Sequence, residues 1–404
     1  MMTRNLFQSL VSHLDKKEFT IITGARQTGK STLMKQLFEY CKKNDVPTVF
    51  LNLENKSILN DLNQSPLHFL SYIPDTESRM VIFIDEIQYL NDPTNFMKLT
   101  YDEYAEKIKI VATGSSAFYL DKSFTDSLAG RKRIFWLKPC NFDEYLSLRG
   151  KSDLLKEIAE IRSNSRYKTI HIEILQSEWE NFMLFGGYPA VITETDREEK
   201  RLRLAEIRDS YVKRDVLESG VQNQTAFYKL FHILASKTGN LLNINELSST
   251  LRIENETVTN YLYILQKCFH IALVKPFFQN VRKELTKMPK VYLLDNGLRN
   301  SLLNNFQPFA NRMDKGMMWE NVVFSLLCEK YNLDELFFWR TADGNEVDFV
   351  LPMVEKPQAI ECKYDATYTS LSKYKKFIES YPAIPLSFWS FQPFDSDFFR
   401  NYGM

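Results

Sequence analysis

An eight-residue segment near the start of the chain limits what its first part can fold into. Residues 24–31 read Gly-Ala-Arg-Gln-Thr-Gly-Lys-Ser, which matches GxxxxGK[ST] at every fixed position. The segment follows an apolar run, Phe19–Thr23, and precedes a helix predicted over Ser31–Lys42. Glycines let a backbone wrap closely around phosphate, and a helix N-terminus attracts an anion, so this order predicts a phosphate-binding loop. The predicted contacts with ATP are Gly24, Ala25, Arg26, Gln27, Thr28, Gly29, Lys30, Ser31 and Thr32.

A second polar element follows the apolar run Met80–Ile84. Asp85 and Glu86 come directly after this run, at the carboxyl end of a predicted buried strand, where the ligands of parallel sheets bind. We expect Lys30 to reach the β- and γ-phosphates, and Ser31 and Asp85 to hold Mg²⁺. Glu86 is placed to polarise the attacking water. An acidic pair following such a loop indicates hydrolysis rather than binding alone.

Three other polar residues of this region have two interpretations each. Ser115, beside Ser116, follows the run Ile108–Thr113 and either faces the γ-phosphate or belongs to a serine turn. Arg131 either supplies positive charge to the transition state, from its own or a neighbouring subunit, or is an ordinary surface arginine. Arg26 is ambiguous in the same way.

The first 141 residues alternate short apolar runs with helical sequence. This alternation is the pattern of a parallel sheet with crossover helices, so it predicts an α/β domain. The predicted strands are Phe19–Thr23, Thr48–Leu53, Met80–Ile84, Ile108–Thr113 and Arg133–Leu137.

Residues 142–222 are helical and charged, and another pattern begins at residue 223. Between residues 223 and 295, three predicted helices precede two strand-like runs, an order that indicates a winged helix-turn-helix. The helices are Phe227–Ser236, Ile244–Leu251 and Glu256–Cys268, and the strands are Ile271–Phe277 and Lys290–Leu294. Asn243 is the predicted N-cap of the second helix.

The third of these helices would be the recognition helix of a DNA-binding module. Its polar side chains are Thr257, Thr259, Asn260 and Tyr263, and the following wing segment carries Arg282, Lys283, Lys287 and Lys290. Basic residues in a wing suit phosphate contacts with double-stranded DNA. Winged helices also bind proteins, and basic loops are often only solvated, so both kinds of partner stay open.

The last part of the chain places carboxylates on two neighbouring predicted strands. Glu361 and Lys363 share one face of their strand, and antiparallel pairing would bring Asp348 beside Glu361. With Glu320 on the preceding helix, these residues match the D…ExK arrangement of restriction-endonuclease-like folds. Asp348, Glu361 and Glu320 would then bind Mg²⁺, and Lys363 would orient or deprotonate the attacking water. The other interpretation is a polar sheet face on an inactive, structural version of that fold.

Taken together, five of the motifs resemble one known family. The segments GARQTGKSTL, VIFIDEIQ, ATGSSAF, SLAGR and FGGYP are similar to those of prokaryotic AAA-type P-loop ATPases that end in a domain of unknown function related to restriction endonucleases. The resemblance covers nearly the whole chain, and only Lys151–Lys168 lacks a matching signal. It implies an ASCE-type ATPase domain that binds ATP. Because the family's biological role is largely undefined, the resemblance predicts the domain architecture but not the biological function.

The predicted architecture therefore has four parts within an α/β fold class. A P-loop ATPase domain over residues 1–141 is followed by a helical connecting region over 142–222. A winged helix-turn-helix over 223–295 and a restriction-endonuclease-like α/β domain over 296–404 complete the chain. Two functions remain open: an ATP-regulated nuclease acting on DNA, and a nucleotide-gated scaffold or regulator whose tail has lost catalysis.

Composition limits the kinds of partner, cysteine chemistry and cellular location that we expect. The 51 basic and 51 acidic residues cancel, which argues against a protein-wide attraction to nucleic acid but allows a local basic face. The five cysteines are scattered and none has CxxC spacing, so we expect free buried thiols rather than disulfides or a zinc site. No signal peptide or membrane-spanning run is evident, which predicts a cytoplasmic protein, and self-association is an open expectation.

Overall fold

The computed structural model describes residues 4–74, 78–114, 128–278 and 288–402, and the chain divides into two compact units. The first unit comprises Met1–Cys140 together with Lys267–Phe269. The second comprises Asn141–Gln266 and His270–Met404.

A five-stranded parallel sheet forms the centre of the first unit. Its strands are β1 (Phe19–Thr23), β2 (Thr48–Asn52), β3 (Met80–Asp85), β4 (Ile108–Gly114) and β5 (Lys132–Trp136), in the order β2-β3-β4-β1-β5. The predicted parallel α/β sheet is confirmed, and the additional strand between β1 and β3 is what the ASCE-type prediction requires. Every residue of β1, β3 and β4 is buried, because helices cover both faces, which explains why these strands read as continuous apolar runs.

Within the described ranges, four α-helices accompany this sheet: α1 (Leu6–His13), α2 (Lys30–Lys43), α3 (Lys56–Gln64) and α4 (Pro93–Tyr104). Side chains of α2 at helical spacing, including Leu33 and Leu37, pack with Ile22 of β1 and Phe83 of β3 in one buried cluster. A second cluster on the other face joins α3 and α4 to the sheet through Leu62 and similar residues. The sheet therefore lies between two apolar layers, and its strand ends are fixed by packing.

The second unit begins with the helical region that the sequence predicts. Its helices are α5 (Phe142–Leu148), α6 (Ser152–Ser163), α7 (Ile172–Phe185), α8 (Pro189–Ile192), α9 (Arg197–Glu206) and α10 (Val212–Glu218). A π-helical turn over Ile207–Tyr211 separates the last two. Asn141 and Glu144 form a capping box that fixes the start of α5.

Three helices and two strands follow in the predicted order. The helices are α11 (Gln224–Ser236), α12 (Ile244–Leu251) and α13 (Asn255–Lys267), and the strands are β6 (Ile271–Pro276) and β7 (Lys290–Leu293). The predicted N-cap is confirmed, because the Asn243 side chain accepts the backbone N–H groups of Asn245 and Glu246. Strands β6 and β7 pair antiparallel as a wing would. The assignment of this arrangement to a winged helix stays a prediction.

The two strands of the predicted wing belong to a larger sheet. The remaining elements are α14 (Asn296–Leu302), α15 (Lys315–Lys330), β8 (Phe337–Arg340), β9 (Glu346–Leu351), β10 (Gln358–Asp365), α16 (Lys375–Ser380), β11 (Leu386–Gln392) and α17 (Ser396–Tyr402). The sheet has six strands in the order β11-β10-β9-β8-β6-β7, with β6 parallel to β8. It therefore continues across the predicted domain boundary at residues 295 and 296.

Two expectations from composition can be compared with these units. All five cysteines are buried, as predicted. Among the described residues, none of the helices has the length and apolar character needed to cross a bilayer.

Candidate functional site

Two glycines shape the phosphate-binding loop between β1 and α2. Gly24 has a φ of +152°, and a Cβ atom there would lie 2.2 Å from the backbone oxygen of Leu137. Gly29, with a φ of +94°, is the N-cap of α2 and turns the chain into the helix. A side chain at Gly24 would clash with backbone that cannot move aside, so glycine at this position is a steric requirement.

The Lys30 ammonium lies inside the curve of this loop. Its Nζ donates to the backbone oxygens of Gly24 at 3.0 Å and Ala25 at 2.9 Å. The Thr28 hydroxyl donates to the same Ala25 oxygen at 2.9 Å. Because Lys30 and Thr28 are both buried, these bonds fix the loop conformation before any phosphate binds.

Arg4 supports the loop from outside, a role that sequence reasoning missed. Its Nη1 donates to the backbone oxygen of Thr28, and its Nη2 donates to that of Lys138, both at 2.7 Å. The planar guanidinium presents donors in a fixed fork, so it can bridge two carbonyl oxygens at once. No local motif marks such a residue, because its two partners lie far away in the sequence.

The strand order brings Ser31, Asp85 and Thr113 together at the carboxyl edge of the sheet. The Ser31 hydroxyl donates to Asp85 Oδ1 at 3.1 Å, and the Thr113 hydroxyl donates to the same oxygen. This pair of hydroxyl and carboxylate oxygens fits Mg²⁺, which prefers hard oxygen ligands and few protein groups. The predicted placement of Ser31 beside Asp85 therefore suits a magnesium site, with Thr113 orienting the carboxylate.

Glu86 projects from a strained backbone position directly after β3. Its φ of 61° and ψ of 52° lie in the left-handed region, which is uncommon for residues other than glycine. Its N–H donates to the Thr113 hydroxyl at 3.0 Å, and its carboxylate accepts from the Gln88 side-chain amide. Such conformations persist only where surrounding bonds hold them, and they cluster at functional sites. Thr113 thus positions both members of the acidic pair.

Three predicted residues of this region stand apart from that edge. Ser115 and Ser116 lie outside the described residues. Arg131 lies at the opposite edge, because its backbone oxygen accepts from Phe19 at the amino end of β1. Five residues of strand separate it from the loop by about 15 Å, so action on its own subunit's phosphate is inconsistent with this position. Its side chain binds Asp102 at 2.6 Å, and action on a neighbouring subunit stays a prediction.

The other predicted nucleotide contacts differ in exposure. Arg26 is buried, which does not fit its interpretation as an ordinary surface arginine. Gln27, with a φ of 58°, and Thr32 are exposed. Their contact with ATP stays a prediction.

Three carboxylates of the second unit surround the side-chain ammonium of one lysine. Lys290, the first residue of β7, is 1% exposed, and its Nζ lies 3.1 Å from Glu320 Oε1 and 3.1 Å from Asp348 Oδ1. A third carboxylate, Glu346, contacts the same Nζ at 2.6 Å. Burial by itself lowers the pKa of Lys290, yet these carboxylates and Tyr292 raise it well above its ordinary value, so the group stays cationic.

Glu361 has different partners. Its Oε1 accepts from the Lys363 ammonium and, at 2.7 Å, from the Tyr374 hydroxyl. Strands β9 and β10 pair antiparallel as predicted, with Ile360 opposite Phe349, so Asp348 lies beside Glu361. Burial, followed by the Asp348 carboxylate, raises the pKa of Glu361. The predicted shared face of Glu361, Lys363 and Asp348 is therefore present.

The three carboxylates of the predicted metal site in the second unit have partners within the protein. Glu320 and Asp348 already bind an ammonium, and Glu361 binds Lys363 and Tyr374. Throughout the described ranges, no group of three or more His, Cys, Asp or Glu side chains is arranged to hold a metal ion. The interpretation of Glu320, Asp348 and Glu361 as ligands of one Mg²⁺ stays a prediction, and a buried lysine contacts two of them.

The same lysine corrects a prediction about the wing. Lys290 was expected to contact DNA phosphate, but it is buried and paired. Arg282, Lys283 and Lys287 lie outside the described residues. On α13, Thr259, Asn260 and Tyr263 are exposed and Thr257 is partly so.

The FGGYP motif has a packing role. Asp295 accepts the N–H of Gly187 at 2.7 Å and that of Leu298 at 2.8 Å, which joins the turn after α7 to the start of α14. A Cβ at Gly186 would lie 2.2 Å from Asp295 Oδ1, and one at Gly297 would lie 2.1 Å from the Phe185 oxygen. These glycines are needed because two backbones and a carboxylate approach closely here.

Three family models match separate parts of the chain. An AAA domain matches residues 16–146. A domain of unknown function (DUF8612) matches residues 176–308, and another (DUF4143) matches residues 315–389.

Relatives similar over most of the chain come from bacteria and archaea. An uncharacterised protein of Haemophilus influenzae is 27% identical over 362 residues, covering 86% of this chain and 82% of the relative. One of Methanocaldococcus jannaschii is 26% identical over 360 residues, covering 85% of this chain and 75% of the relative. Among solved structures, the ORC1 protein of Aeropyrum pernix in complex with DNA has a TM-score of 0.33 and 11% identity, covering 75% of this chain and 93% of the other.

The family match and the geometry agree on the first unit. The matched residues 16–146 contain the loop, the Asp85–Glu86 pair and all five parallel strands. Residues 16–146 are thus similar to an AAA domain in sequence, and their loop and parallel sheet agree with that match.

Proposed function

We propose that the protein hydrolyses ATP at the carboxyl edge of the first sheet and uses its nucleotide state to control binding by the second unit. One observation carries the first half of this proposal. Thr113 holds Asp85 through its side chain and Glu86 through its backbone, beside Ser31 and the buried Lys30. A binding site alone would not need a strained glutamate anchored in this way.

Each residue has a defined task in the proposed reaction. Lys30 and the loop N–H groups bind the phosphates, and Ser31 and Asp85 would hold Mg²⁺, which neutralises phosphate charge. Glu86 accepts a proton from water as the water oxygen attacks the γ-phosphorus. The bond from that phosphorus to the bridging oxygen breaks, and ADP and phosphate are released.

The test compares Glu86→Gln with Lys30→Ala. Glu86→Gln should bind ATP normally and lose about 10²- to 10⁴-fold in kcat, since a general base contributes about that much. Lys30→Ala should lose nucleotide binding. Glu54→Gln, which changes an exposed glutamate just after β2, is the matched control and should keep the wild-type rate. Wild-type kcat in Glu86→Gln would refute the assigned role.

The second half of the proposal concerns the partner. The exposed polar face of α13 supports binding of double-stranded DNA, read by Asn260 and Tyr263. Anisotropy of a labelled duplex should differ between the ATP-bound Glu86→Gln protein and the ADP-bound protein. Asn260→Asp should weaken this binding, whereas Gln307→Glu, which adds the same charge at an exposed site, should not.

The second candidate function is a nucleotide-gated scaffold or regulator that binds another protein. The near-complete burial of Lys290 favours it, because the predicted wing loses one of its basic contacts. Absence of duplex binding by wild type in both nucleotide states, with ATPase activity intact, would select this candidate over DNA binding.

A further inference from the structure

The acidic cluster of the second unit is centred on one buried ammonium. Lysine carries three N–H donors, and the Lys290 Nζ lies within 3.1 Å of Glu320, Glu346 and Asp348. Nζ donates hydrogen bonds to Glu320 and Asp348 and forms an ion pair with Glu346. Removing the lysine or one of its carboxylates would change the balance of charge in a buried site, which is costly.

This ammonium uses the oxygens that a metal ion would need. Glu320 lies on α15 and Asp348 on β9, and Lys290 reaches both from β7. Divalent ions bind carboxylate oxygens at about 2.0–2.6 Å, so an ion bound to these two would lie a few ångströms from the ammonium. The ion and the ammonium would repel each other, so they compete for the same two oxygens.

Other carboxylate oxygens of the cluster accept from protein donors, whereas Glu361 Oε2 is buried without a hydrogen-bond partner among the described residues. Tyr292 donates its hydroxyl to Glu320 Oε1 at 2.7 Å, and the N–H of Cys362 donates to Asp348 Oδ2 at 2.9 Å. Arg340 binds the outer oxygen of Glu346 at 2.6 Å. Protein donors thus surround the carboxylates from several elements.

We infer that Lys290 is the resident cation of this cluster and takes the place of the divalent metal that a D…ExK arrangement would hold, so that the second unit binds no metal there and does not cleave DNA. This inference does not rest on the proposed ATPase activity. It assigns the second unit a structural and binding role. An internal ion pair lies at the position where a nuclease would bind its metal ion.

The first experiment measures Mn²⁺ binding to the full chain without nucleotide, from the electron paramagnetic resonance signal of free Mn²⁺. Glu361→Gln is the informative variant, because Glu361 is a predicted ligand that does not touch Lys290. Wild type and Glu361→Gln should bind the same number of ions. If wild type binds one ion more than Glu361→Gln, the inference is overturned.

A second experiment removes the ammonium while keeping the side-chain length. Lys290→Met should gain one Mn²⁺ site that wild type lacks, and Mn²⁺ should raise its melting temperature. Lys363→Met removes the other lysine of the cluster and should gain no site, since Glu320 and Asp348 keep Lys290. If Lys290→Met does not fold, the double variant Lys290→Met/Glu346→Gln lowers the excess negative charge. A folded variant of either kind that gains no site overturns the inference.

A third experiment addresses cleavage directly. Wild type should leave supercoiled and linear duplexes intact in Mg²⁺ or Mn²⁺, with or without ATP. Cleavage that disappears in Glu361→Gln but persists in Lys30→Ala would overturn the inference while leaving the ATPase proposal untouched. The rate of ATP hydrolysis by Glu86→Gln tests only the proposed function and does not affect this inference.

Discussion

The Thr113 hydroxyl donates to Asp85 Oδ1 and accepts the backbone N–H of the next residue, Glu86. One side chain on β4 thereby orients the carboxylate of β3 and fixes the turn that follows it. This is a consequence of strand order, because β4 lies beside β3 and the carboxyl ends of both strands meet.

Thr113→Val keeps the shape of the side chain and removes the hydroxyl. A hydrogen bond to a charged group contributes about 1.5–3 kcal/mol, so kcat for ATP hydrolysis should fall about 10- to 100-fold. Nucleotide affinity, measured with a fluorescent ATP analogue, should change less, since Lys30 and the loop are intact. The matched control is Thr23→Val at the end of neighbouring β1, where the buried hydroxyl has no hydrogen-bond partner among the described residues. Equal rates for both variants would contradict the role of Thr113.

Gly24→Ala should disrupt the phosphate-binding loop by sterics. Its added Cβ would meet the Leu137 oxygen at 2.2 Å, and the backbone φ of +152° adds strain. Gly130→Ala is the control, because its φ of +74° carries a comparable backbone penalty of about 1–2 kcal/mol but its Cβ enters open space. Thermal unfolding and nucleotide titration should show a clearly larger loss for Gly24→Ala. Similar losses in both variants would mean that the contact with Leu137 has no consequence.

Asp295 should make the stability of the second unit depend on pH. Burial raises the pKa of Asp295 from 3.8 to about 6. Between about pH 4 and pH 6 the carboxyl is therefore protonated in the folded state and ionised in the unfolded state. Stability contributed by the protonated carboxyl is therefore complete below about pH 4 and lost as pH rises to about 6. About 2 pKa units at about 1.4 kcal/mol each give a loss of up to about 3 kcal/mol.

Asp295→Asn removes this titration, so its unfolding free energy should fall less between pH 4 and 6 than that of wild type. Denaturant unfolding at several pH values provides the comparison. Asp334→Asn, which removes an exposed carboxyl from the same unit, should keep the wild-type slope. An unchanged slope in Asp295→Asn would exclude Asp295 as the source.

Local sequence signals predicted the first unit well. The loop, the run that ends in Asp85 and the N-cap Asn243 in the second unit are set by neighbours in the chain, so pattern and propensity suffice to place them. The sequence pattern indicates Ser115, just beyond the strand, and does not single out Thr113. The hydroxyl that contacts Asp85 belongs to the strand itself, and only the pairing of β3 with β4 reveals it.

Lys290 shows why the second unit was harder to predict. In the sequence it ends a basic segment and suggests a solvated wing, since nothing nearby indicates an inward direction. Its partners, Glu320, Glu346 and Asp348, come from later elements. Their convergence depends on β6 pairing with both β7 and β8, a long-range arrangement that periodicity cannot specify.

The ladder from β7 through β6 to β8 also limits how such proteins can diversify. A chain recombined at residue 295 would receive Lys290 from one parent and its three carboxylates from another. Any mismatch would leave a charge buried without a counter-ion, at a cost of about 3–5 kcal/mol, and would leave β6 with an unsuitable neighbour. Strands β6 and β7 and residues 296–404 should therefore be inherited together. Recombination at the predicted boundary between residues 295 and 296 should give a protein that does not fold stably.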